Sequence, residues 1–263
     1  MSARELQLVL DLLGPKLAAV ALCGARLVPV ALLCPLLGGQ ATPAPVKLGV
    51  VGSLALSLHL AGGVAAPAGL DGWGFAALVG RELAFGTAIG LVAALPFDAA
   101  RIGGRFVDLF RGTSAEAALP VTGTRESATG DGLYQLLVAL AVAGGAMPAV
   151  VSGLWRSFAA VPLGGFVASE AVALRVAGWV GGAFATGFAV GAPIAAASLA
   201  VDLFLGFASR AAPSLGLQEA GAPLRILGGG ALLWLGVGVM SERLLAGVIG
   251  SEEVMRQLFE VAR

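Results

Sequence analysis

The sequence predicts an all-α membrane protein that crosses the bilayer several times. Of its 263 residues, 58% are hydrophobic and only 12% are charged, and the mean hydropathy is +0.92. A soluble domain of this size needs far less apolar surface, because its outer face must meet water. The 40 glycines, together with abundant alanine, are typical of membrane helices whose backbones pack closely against other helices.

Six apolar segments, each predicted to be helical, follow one another along the chain. The third and the sixth are about 15 residues long, which is short for a bilayer span of about 20 residues. The first, fourth and fifth contain prolines, which membrane helices tolerate where protein or a water-filled cavity satisfies the freed backbone groups. Since the sequence has no internal repeat and no low-complexity linker, we expect one domain over residues 1–263. The segments are residues 17–37, 48–66, 83–97, 132–155, 176–201 and 226–240.

Small residues inside the apolar segments are interpreted as packing residues. Two GxxxG motifs begin at Gly86 and Gly187, but in a glycine-rich chain they predict only that helices approach closely. Cys23 and Cys34 would lie about 16 Å apart along a continuous helix, too far for a disulfide. We therefore expect both cysteines to be free.

A polar stretch follows the third apolar segment and predicts a helix with one charged side. At about 100° per residue its charges share one side and alternate in sign, so neighbours at i,i+3 and i,i+4 can pair. Pro96 suits the first turn of this helix, and Gly112 suits its end. The charged side comprises Asp98, Arg101, Arg105, Asp108 and Arg111, and the apolar side, expected to anchor the helix, comprises Ile102, Phe106, Leu109 and Phe110.

The C-terminal tail from Ser251 predicts a short amphipathic helix. Ser251 can cap it, and the acidic residues Glu252 and Glu253 suit its first turn. Such a helix is expected to lie on a membrane surface or on a partner.

Charges within or beside apolar segments are the candidate structural residues. A charge at the centre of a membrane helix costs about 2.5–3.5 kcal/mol on insertion scales, so its position carries information. These residues either anchor helices at the interface or pair with partner subunits in a packed assembly. Asp202 follows an uncharged run over residues 176–201. The set is Arg26, Arg81, Glu82, Arg175, Asp202, Arg210, Glu242 and Arg243.

Enzymes and nucleic-acid-binding proteins are disfavoured by what the sequence contains. His59 is the one histidine, and the chain has no HExxH, GxSxG or phosphate-binding motif. A single histidine without further ligands does not support a zinc site. The formal net charge is zero, which gives no reason to expect nucleic acid as a partner.

Three stretches, in this order, form a recognisable pattern. The first covers residues 81–90, 94–97, 103–104, 108 and 111–114, the second 157–163, and the third 192–194, 202–213 and 222–225. They resemble the export-gate proteins of type III secretion, called SctT in injectisomes and FliR in flagella, over most of the chain. The Leu-Pro-Phe and Arg-Gly-Thr-Ser elements favour the injectisome branch. Leu109 and Phe110 stand where the family usually has polar residues, and residues 214–219 replace an asparagine-containing apolar stretch.

The resemblance implies a subunit of an inner-membrane export gate, built of helical hairpins and part of a helical pore complex. Its partners would be two smaller membrane proteins (SctR/FliP-like and SctS/FliQ-like) and a switch protein (SctU/FlhB-like). The complex would project partly to the periplasmic side and pass unfolded protein substrates. A separate ATPase and the proton-motive force would supply the energy, with no catalysis and no cofactor in this subunit.

The resemblance also implies roles for particular residues. The loop after the Arg-Gly element contributes a plug to the closed pore, and small residues suit a plug that packs reversibly. In this chain the plug would comprise Gly112, Thr113, Ser114, Ala115, Glu116, Ala117 and Ala118, continuing towards Pro120. The charges expected to be structural are Arg81, Glu82, Asp108, Arg111, Asp202 and Arg210.

Two other classes of protein remain open. A small secondary transporter would use intramembrane charges as its site, but it should show inverted repeats and a midplane ion pair, and the sequence reveals neither. A membrane-bound enzyme is disfavoured by the missing motifs.

Overall fold

The computed structural model describes residues 3–39, 42–69, 71–111, 116–118, 125–212 and 217–262. Within them the chain forms helices and one short hairpin, which confirms the predicted all-α class. The helices are α1 (Ala3–Leu33), α2 (Ala44–Leu60), α3 (Gly72–Arg111), α4 (Ala128–Ala143), α5 (Ala146–Ala160), α6 (Glu170–Ala211) and α7 (Leu217–Val261), with a 3-10 turn at Pro35–Leu37; the hairpin pairs β1 (Glu116–Ala118) with β2 (Arg125–Ser127).

Four helical stretches are long and apolar enough to cross a membrane. A fifth span is formed if α4 and α5, which meet at a bend of 80°, cross together. The bend falls at Gly145, whose φ of 75° suits glycine. The shorter apolar helix α2 packs against α1, and its buried residues are Val51, Ala55 and Leu58. The four stretches are Leu13–Leu33, Gly72–Arg111, Glu170–Ala211 and Ile226–Val261.

The third and sixth apolar segments are not short helices, so that expectation is wrong. They lie inside α3 and α7, which have 40 and 45 residues, because the residues before and after each segment are helical as well. Pro96 lies near the middle of α3 and not in a first turn. Proline removes one backbone hydrogen bond, and a long helix packed on both sides of it tolerates that loss.

The charged part of α3 is not divided into two sides as predicted. The described part of the helix ends at Arg111, and the stop predicted at Gly112 lies outside the described residues. Leu109, assigned to the anchoring side, is 74% exposed, whereas Asp108 is only 7% exposed. The reason is that donors from the start of α4 hold Asp108, and they fix the rotation of this part of α3.

The C-terminal tail packs within the chain. Ser251 does not begin a helix, since α7 continues through it to Val261. Met255, Leu258 and Phe259 are buried, and the Phe259 ring lies 6.2 Å from the ring of Phe85. The apolar side of the tail therefore covers part of the chain's own core.

The helices are distributed over two compact units, each assembled from separate stretches of the chain. The first contains Met1–Ala94, Gly145–Trp179 and Gly250–Arg263, and the second contains Leu95–Gly144 and Val180–Ile249. A single functional domain over the whole chain stays a prediction.

In the first unit, α1 and α3 approach closely through glycine. A Cβ atom placed on Gly90 would lie 2.9 Å from the Cα of Val30, and one on Gly86 would overlap the backbone of Arg26. The first GxxxG motif is therefore a helix contact, because any side chain at Gly86 would separate the two backbones.

In the second unit, α3 meets α6 in the same way. A Cβ on Gly103 would lie 2.9 Å from the carbonyl oxygen of Gly187, and one on Gly191 would lie 2.6 Å from the carbonyl oxygen of Gly103. The second GxxxG motif thus also packs against a helix backbone.

Candidate functional site

Arg26 of α1 is a fully buried arginine within the first unit. Its Nε donates to Glu82 Oε2 of α3 at 2.6 Å, and neither side chain is exposed. Its Nη1 donates to the carbonyl oxygens of Ser157 at 3.1 Å and Val161 at 2.9 Å, at the end of α5. One guanidinium group therefore joins three helices.

Aromatic rings enclose this guanidinium group. Its central carbon lies 4.2 Å from the ring centroid of Phe158 and 4.8 Å from that of Phe85. Phe85 also stacks on Phe166, with 4.9 Å between the ring centroids. Desolvated cation–π contacts stabilise by about 2 kcal/mol, and the rings shield the ion pair from solvent. Loss of either charged partner would leave the other buried without compensation.

Glu82 and its neighbour Arg81 hold the connection between α5 and α6. Glu82 Oε1 accepts from the backbone N–H of Gly164 at 2.7 Å, and Arg81 Nη1 donates to the Gly164 carbonyl oxygen at 3.4 Å. Because Glu82 is fully buried, it is not an interfacial anchor. Both carboxylate oxygens of Glu82 are used inside the first unit.

Asp108, near the end of α3, accepts three hydrogen bonds from the segment that starts α4. Its Oδ2 accepts from Ser127 Oγ at 2.5 Å and from the backbone N–H of Thr129 at 3.0 Å, and its Oδ1 accepts from Thr129 Oγ1 at 2.5 Å. Ser127 Oγ accepts from the backbone N–H of Gly130 at 2.9 Å and so caps α4. Free N–H groups and the helix dipole favour a carboxylate at this position. We call Asp108, Ser127 and Thr129 the Asp108 clasp.

Glycine allows the Asp108 clasp to close. A Cβ atom on Gly104, one turn before Asp108, would overlap the backbone of Gly130. Since only glycine leaves room there, the end of α3 and the start of α4 lie in backbone contact.

Arg111 completes the predicted i,i+3 pair and extends it to two further helices. Its Nη1 lies 3.6 Å from Asp108 Oδ1 and donates to Thr129 Oγ1 at 3.2 Å. Its Nη2 donates to the carbonyl oxygen of Ile226 in α7 at 3.4 Å. The last residue of α3 is therefore fixed to both α4 and α7.

Arg101 forms a second link between α3 and α4. Its Nε lies 3.6 Å from Oδ1 of Asp131, in the first turn of α4. Its guanidinium carbon stands 3.9 Å from the ring centroid of Tyr134. Arg101, Asp108 and Arg111 of α3 thus all contact the start of α4.

The predicted plug lies between the two ends that the Asp108 clasp joins. Gly112, Thr113, Ser114 and Ala115 fall outside the described residues. Glu116, Ala117 and Ala118 form β1, in which Glu116 faces Ser127 and Ala118 faces Arg125 of the antiparallel strand β2. Three residues on each side are too short a pattern for the sequence to have predicted these strands.

The six predicted structural charges are divided between the two units. Arg81 and Glu82 belong to the first unit, and the other four belong to the second. Asp202 is half-buried in α6, and Arg210 is exposed near the end of that helix. Large exposed apolar side chains are frequent on α6 and α7, among them Leu203, Phe204, Phe207, Leu227, Trp234 and Leu235.

Sequence reasoning missed the partners of Arg26, Arg101 and Asp108. It marked Arg26 and Glu82 as costly charges but did not pair them, although opposite charges within or beside two apolar segments are themselves a signal. It also overlooked Ser127 and Thr129, which lie shortly before the fourth apolar segment and carry the hydroxyls typical of a helix start.

Cys23 and Cys34 are free and buried, as predicted. In the described part of the chain, no group of three or more His, Cys, Asp or Glu could bind a metal.

These features define a polytopic helical membrane protein whose buried charges fix helices to one another. Residues 17–248 match the family of bacterial export proteins, family 1. The chain belongs to this family.

Two kinds of relative support the assignment. The Yop proteins translocation protein T of Yersinia pestis is 30% identical over 185 residues, which is 68% of this chain and 70% of the relative. The flagellar biosynthetic protein FliR of Bacillus subtilis is 28% identical over 150 residues, which is 56% of this chain and 58% of the relative. The predicted resemblance to the export-gate family is confirmed.

Proposed function

We propose that this chain is a subunit of the inner-membrane export gate of a type III protein secretion system. In this proposal it lines the pore, and its loop over residues 112–118 plugs the closed state. Family membership supports a role in export. The similarity to a Yop translocation protein supports the injectisome branch.

The Asp108 clasp is the observation that carries the plug proposal. It joins the residues on either side of the 112–126 segment, because Asp108 precedes that segment and Ser127 follows it. A loop closed at its base can change position without unravelling the helices that flank it. The clasp would therefore hold the frame of the gate while the loop between moves aside for substrate.

Passage of an unfolded chain needs a path and a seal, not a reacting group. The small side chains of the loop have little apolar area that could be buried, and burial of a Leu or Phe side chain contributes about 1.5–3 kcal/mol against far less for Ala. A seal made of such residues opens at modest cost. The energy for transport would come from a separate ATPase and the proton-motive force.

Partners would cover the exposed apolar faces of the chain. Trp234 is 77% exposed, Leu227 74% and Phe204 71%, and such residues need lipid or other helices around them. We propose the two smaller gate proteins and the switch protein as those partners. In the assembled gate the complex would project partly to the periplasmic side of the membrane.

A small secondary transporter is the second candidate, and one observation favours it. The Arg26–Glu82 pair is buried, and charges at such positions often mark ion paths. The charged groups of a transporter site must be free to bind and release an ion. Both carboxylate oxygens of Glu82, however, already accept hydrogen bonds within the chain, and two aromatic rings already cover the guanidinium group of Arg26. This geometry suits a fixed structural link better than a transport site.

Shortening the loop tests the proposal. Deletion of residues 112–118, in a chain that retains Asp108 and Ser127, should leave the complex assembled but permeable to small ions. Assembly is measured by co-purification with the two smaller gate proteins, and the leak by conductance of the complex in a planar bilayer.

A matched control removes residues 65–69 from the connection between α2 and α3. That deletion should change neither assembly nor conductance. An assembled complex that stays sealed without residues 112–118 would show that the loop is only a connector.

A further inference from the structure

The side chain of Arg111 packs on the backbone of Gly229 in α7. A Cβ atom on Gly229 would lie 2.7 Å from Arg111 Cγ, 2.9 Å from Nε and 3.0 Å from Cδ. The side chain of Arg111 is only 13% exposed, and its Nη2 donates to the carbonyl oxygen of Ile226, less than one turn before Gly229. The stem of the arginine therefore rests directly on the helix.

The requirement for glycine is confined to this position. A Cβ atom on Gly228 would meet no atom within 4 Å, and one on Gly230 would meet Arg111 Nη2 at an ordinary 3.6 Å. At Gly229 the nearest atom is the inner methylene Cγ, not the flexible tip. A methyl group there would force Arg111 into another rotamer.

A change of rotamer would release the contacts of Arg111 with α4. Its Nη1 donates to Thr129 Oγ1 at 3.2 Å and lies 3.6 Å from Asp108 Oδ1. Both partners belong to the Asp108 clasp, and Arg111 is the residue from which the 112–126 segment departs. The point at which the 112–126 segment leaves α3 thus depends on the absence of a side chain at Gly229.

We infer that Gly229 is a positioning residue of the gate, which seats Arg111 and thereby sets where the plug loop leaves α3. The inference rests on the proposed function, because the contact of Arg111 with Gly229 matters for export only if the loop seals the pore. It adds to that function a residue on α7, more than a hundred positions away from the loop in sequence.

The first test compares neighbouring glycines. Gly229→Ala and Gly228→Ala are each introduced into the full chain and co-expressed with the two smaller gate proteins. Both complexes should assemble, and Gly229→Ala should raise the ion conductance several-fold over Gly228→Ala, which should remain as tight as the wild type. If deletion of residues 112–118 makes the complex leak, equal conductance of the Gly229→Ala and Gly228→Ala variants would overturn the inference.

The second test measures coupling without using the leak. Gly229→Ala is combined with Arg111→Ala, and the midpoint of thermal unfolding of the purified complex is followed. Gly229→Ala should lower the midpoint when Arg111 is present. It should not lower it in the Arg111→Ala background, because the shortened side chain no longer meets the new methyl group and alanine favours the helix.

The two tests distinguish the Arg111–Gly229 contact from the proposed sealing role of the loop. Strictly additive effects on the unfolding midpoint would show that Arg111 does not rest on Gly229 and would overturn the inference. Coupling between the two positions, together with a sealed complex after loop deletion, would keep the seat and remove the plug proposal.

Discussion

Arg26 of α1 and Glu82 of α3, 56 residues apart in sequence, form an ion pair with 2.6 Å between Nε and Oε2 and with no exposure of either side chain. Two residues that look like isolated and costly charges within or beside apolar segments thus neutralise each other. The pair also positions the end of α5, because Arg26 donates to the carbonyl oxygens of Ser157 and Val161. Parts of two stretches that carry the family resemblance, 81–90 and 157–163, meet at this arginine.

Removal of one member of this pair should be worse than removal of both. Glu82→Met leaves Arg26 buried and uncompensated, which costs about 3–5 kcal/mol. Arg26→Met combined with Glu82→Met should recover part of the loss, though not all, since the Ser157 and Val161 carbonyls lose their donor. Unfolding midpoints of the purified complex give the order of the variants.

The exposed pair Arg156–Glu252 is the control for that experiment. Its side chains are 67% and 47% exposed, with 2.5 Å between Nη1 and Oε1, and removing both charges should change stability by less than about 1 kcal/mol. A double variant at Arg26 and Glu82 as unstable as the single Glu82→Met variant would argue against mutual neutralisation.

The close approach of α1 and α3 predicts a difference between two glycines of one helix. Gly86→Ala should destabilise the protein by about 1–3 kcal/mol, because the new methyl group meets the backbone of Arg26, which cannot rotate away. Gly80→Ala, with no atom within 4 Å, should be neutral or stabilising by up to about 1 kcal/mol. Unfolding midpoints measure both, and equal destabilisation would refute the packing described for Gly86.

The Asp108 clasp predicts a local effect on α4. Asp108→Asn removes the charge that accepts from Ser127 and Thr129, and a hydrogen bond to a charged group contributes about 1.5–3 kcal/mol. Hydrogen exchange of the Thr129 and Gly130 amides should accelerate by about 10- to 100-fold.

Asp71→Asn provides the comparison for Asp108→Asn. Asp71 Oδ1 accepts from the backbone N–H of Gly74 at an exposed helix start, so its replacement should affect only the start of α3. Unchanged exchange at Thr129 in the Asp108→Asn variant would mean that the clasp does not hold α4.

Two carboxylates at different depths should respond differently to the same substitution. Asp202 is half-buried in α6 beside exposed Leu203 and Phe204, whereas Glu252 lies on the surface. Asp202→Leu should reduce secretion more than Glu252→Leu, because a charge within an apolar surface is retained only where it has a partner or solvent path. Secretion of a reporter substrate measures the difference, and equal secretion would remove the case for Asp202.

The class of fold was predictable because high hydropathy and high glycine content are properties of all the helices together and do not depend on any single residue. The helix starts predicted at Pro96 and Ser251 are wrong, because α3 and α7 continue through those residues. The stop predicted at Gly112 lies outside the described residues. Tertiary contacts, and not propensity, decide the length of α3 and α7.

Ion pairs between residues that are far apart in the sequence were harder to predict. The Arg101–Asp131 and Arg26–Glu82 pairs need the register of two helices, which single-helix periodicity does not contain. The i,i+3 pair of Asp108 and Arg111 was predictable, because one helix fixes its geometry. The burial of Asp108 was not, since it depends on donors that a different helix supplies.

The central claim is that this chain works as one subunit of a hetero-oligomeric gate, and its assembly tests that claim most directly. The full chain is expressed alone and together with the two smaller gate proteins, and the particles extracted in detergent are characterised by native mass spectrometry. We expect a defined complex containing all three proteins, and aggregation of the chain alone, because its exposed apolar faces need partner helices. A monodisperse, folded monomer of the isolated chain that does not join the smaller proteins would contradict the account.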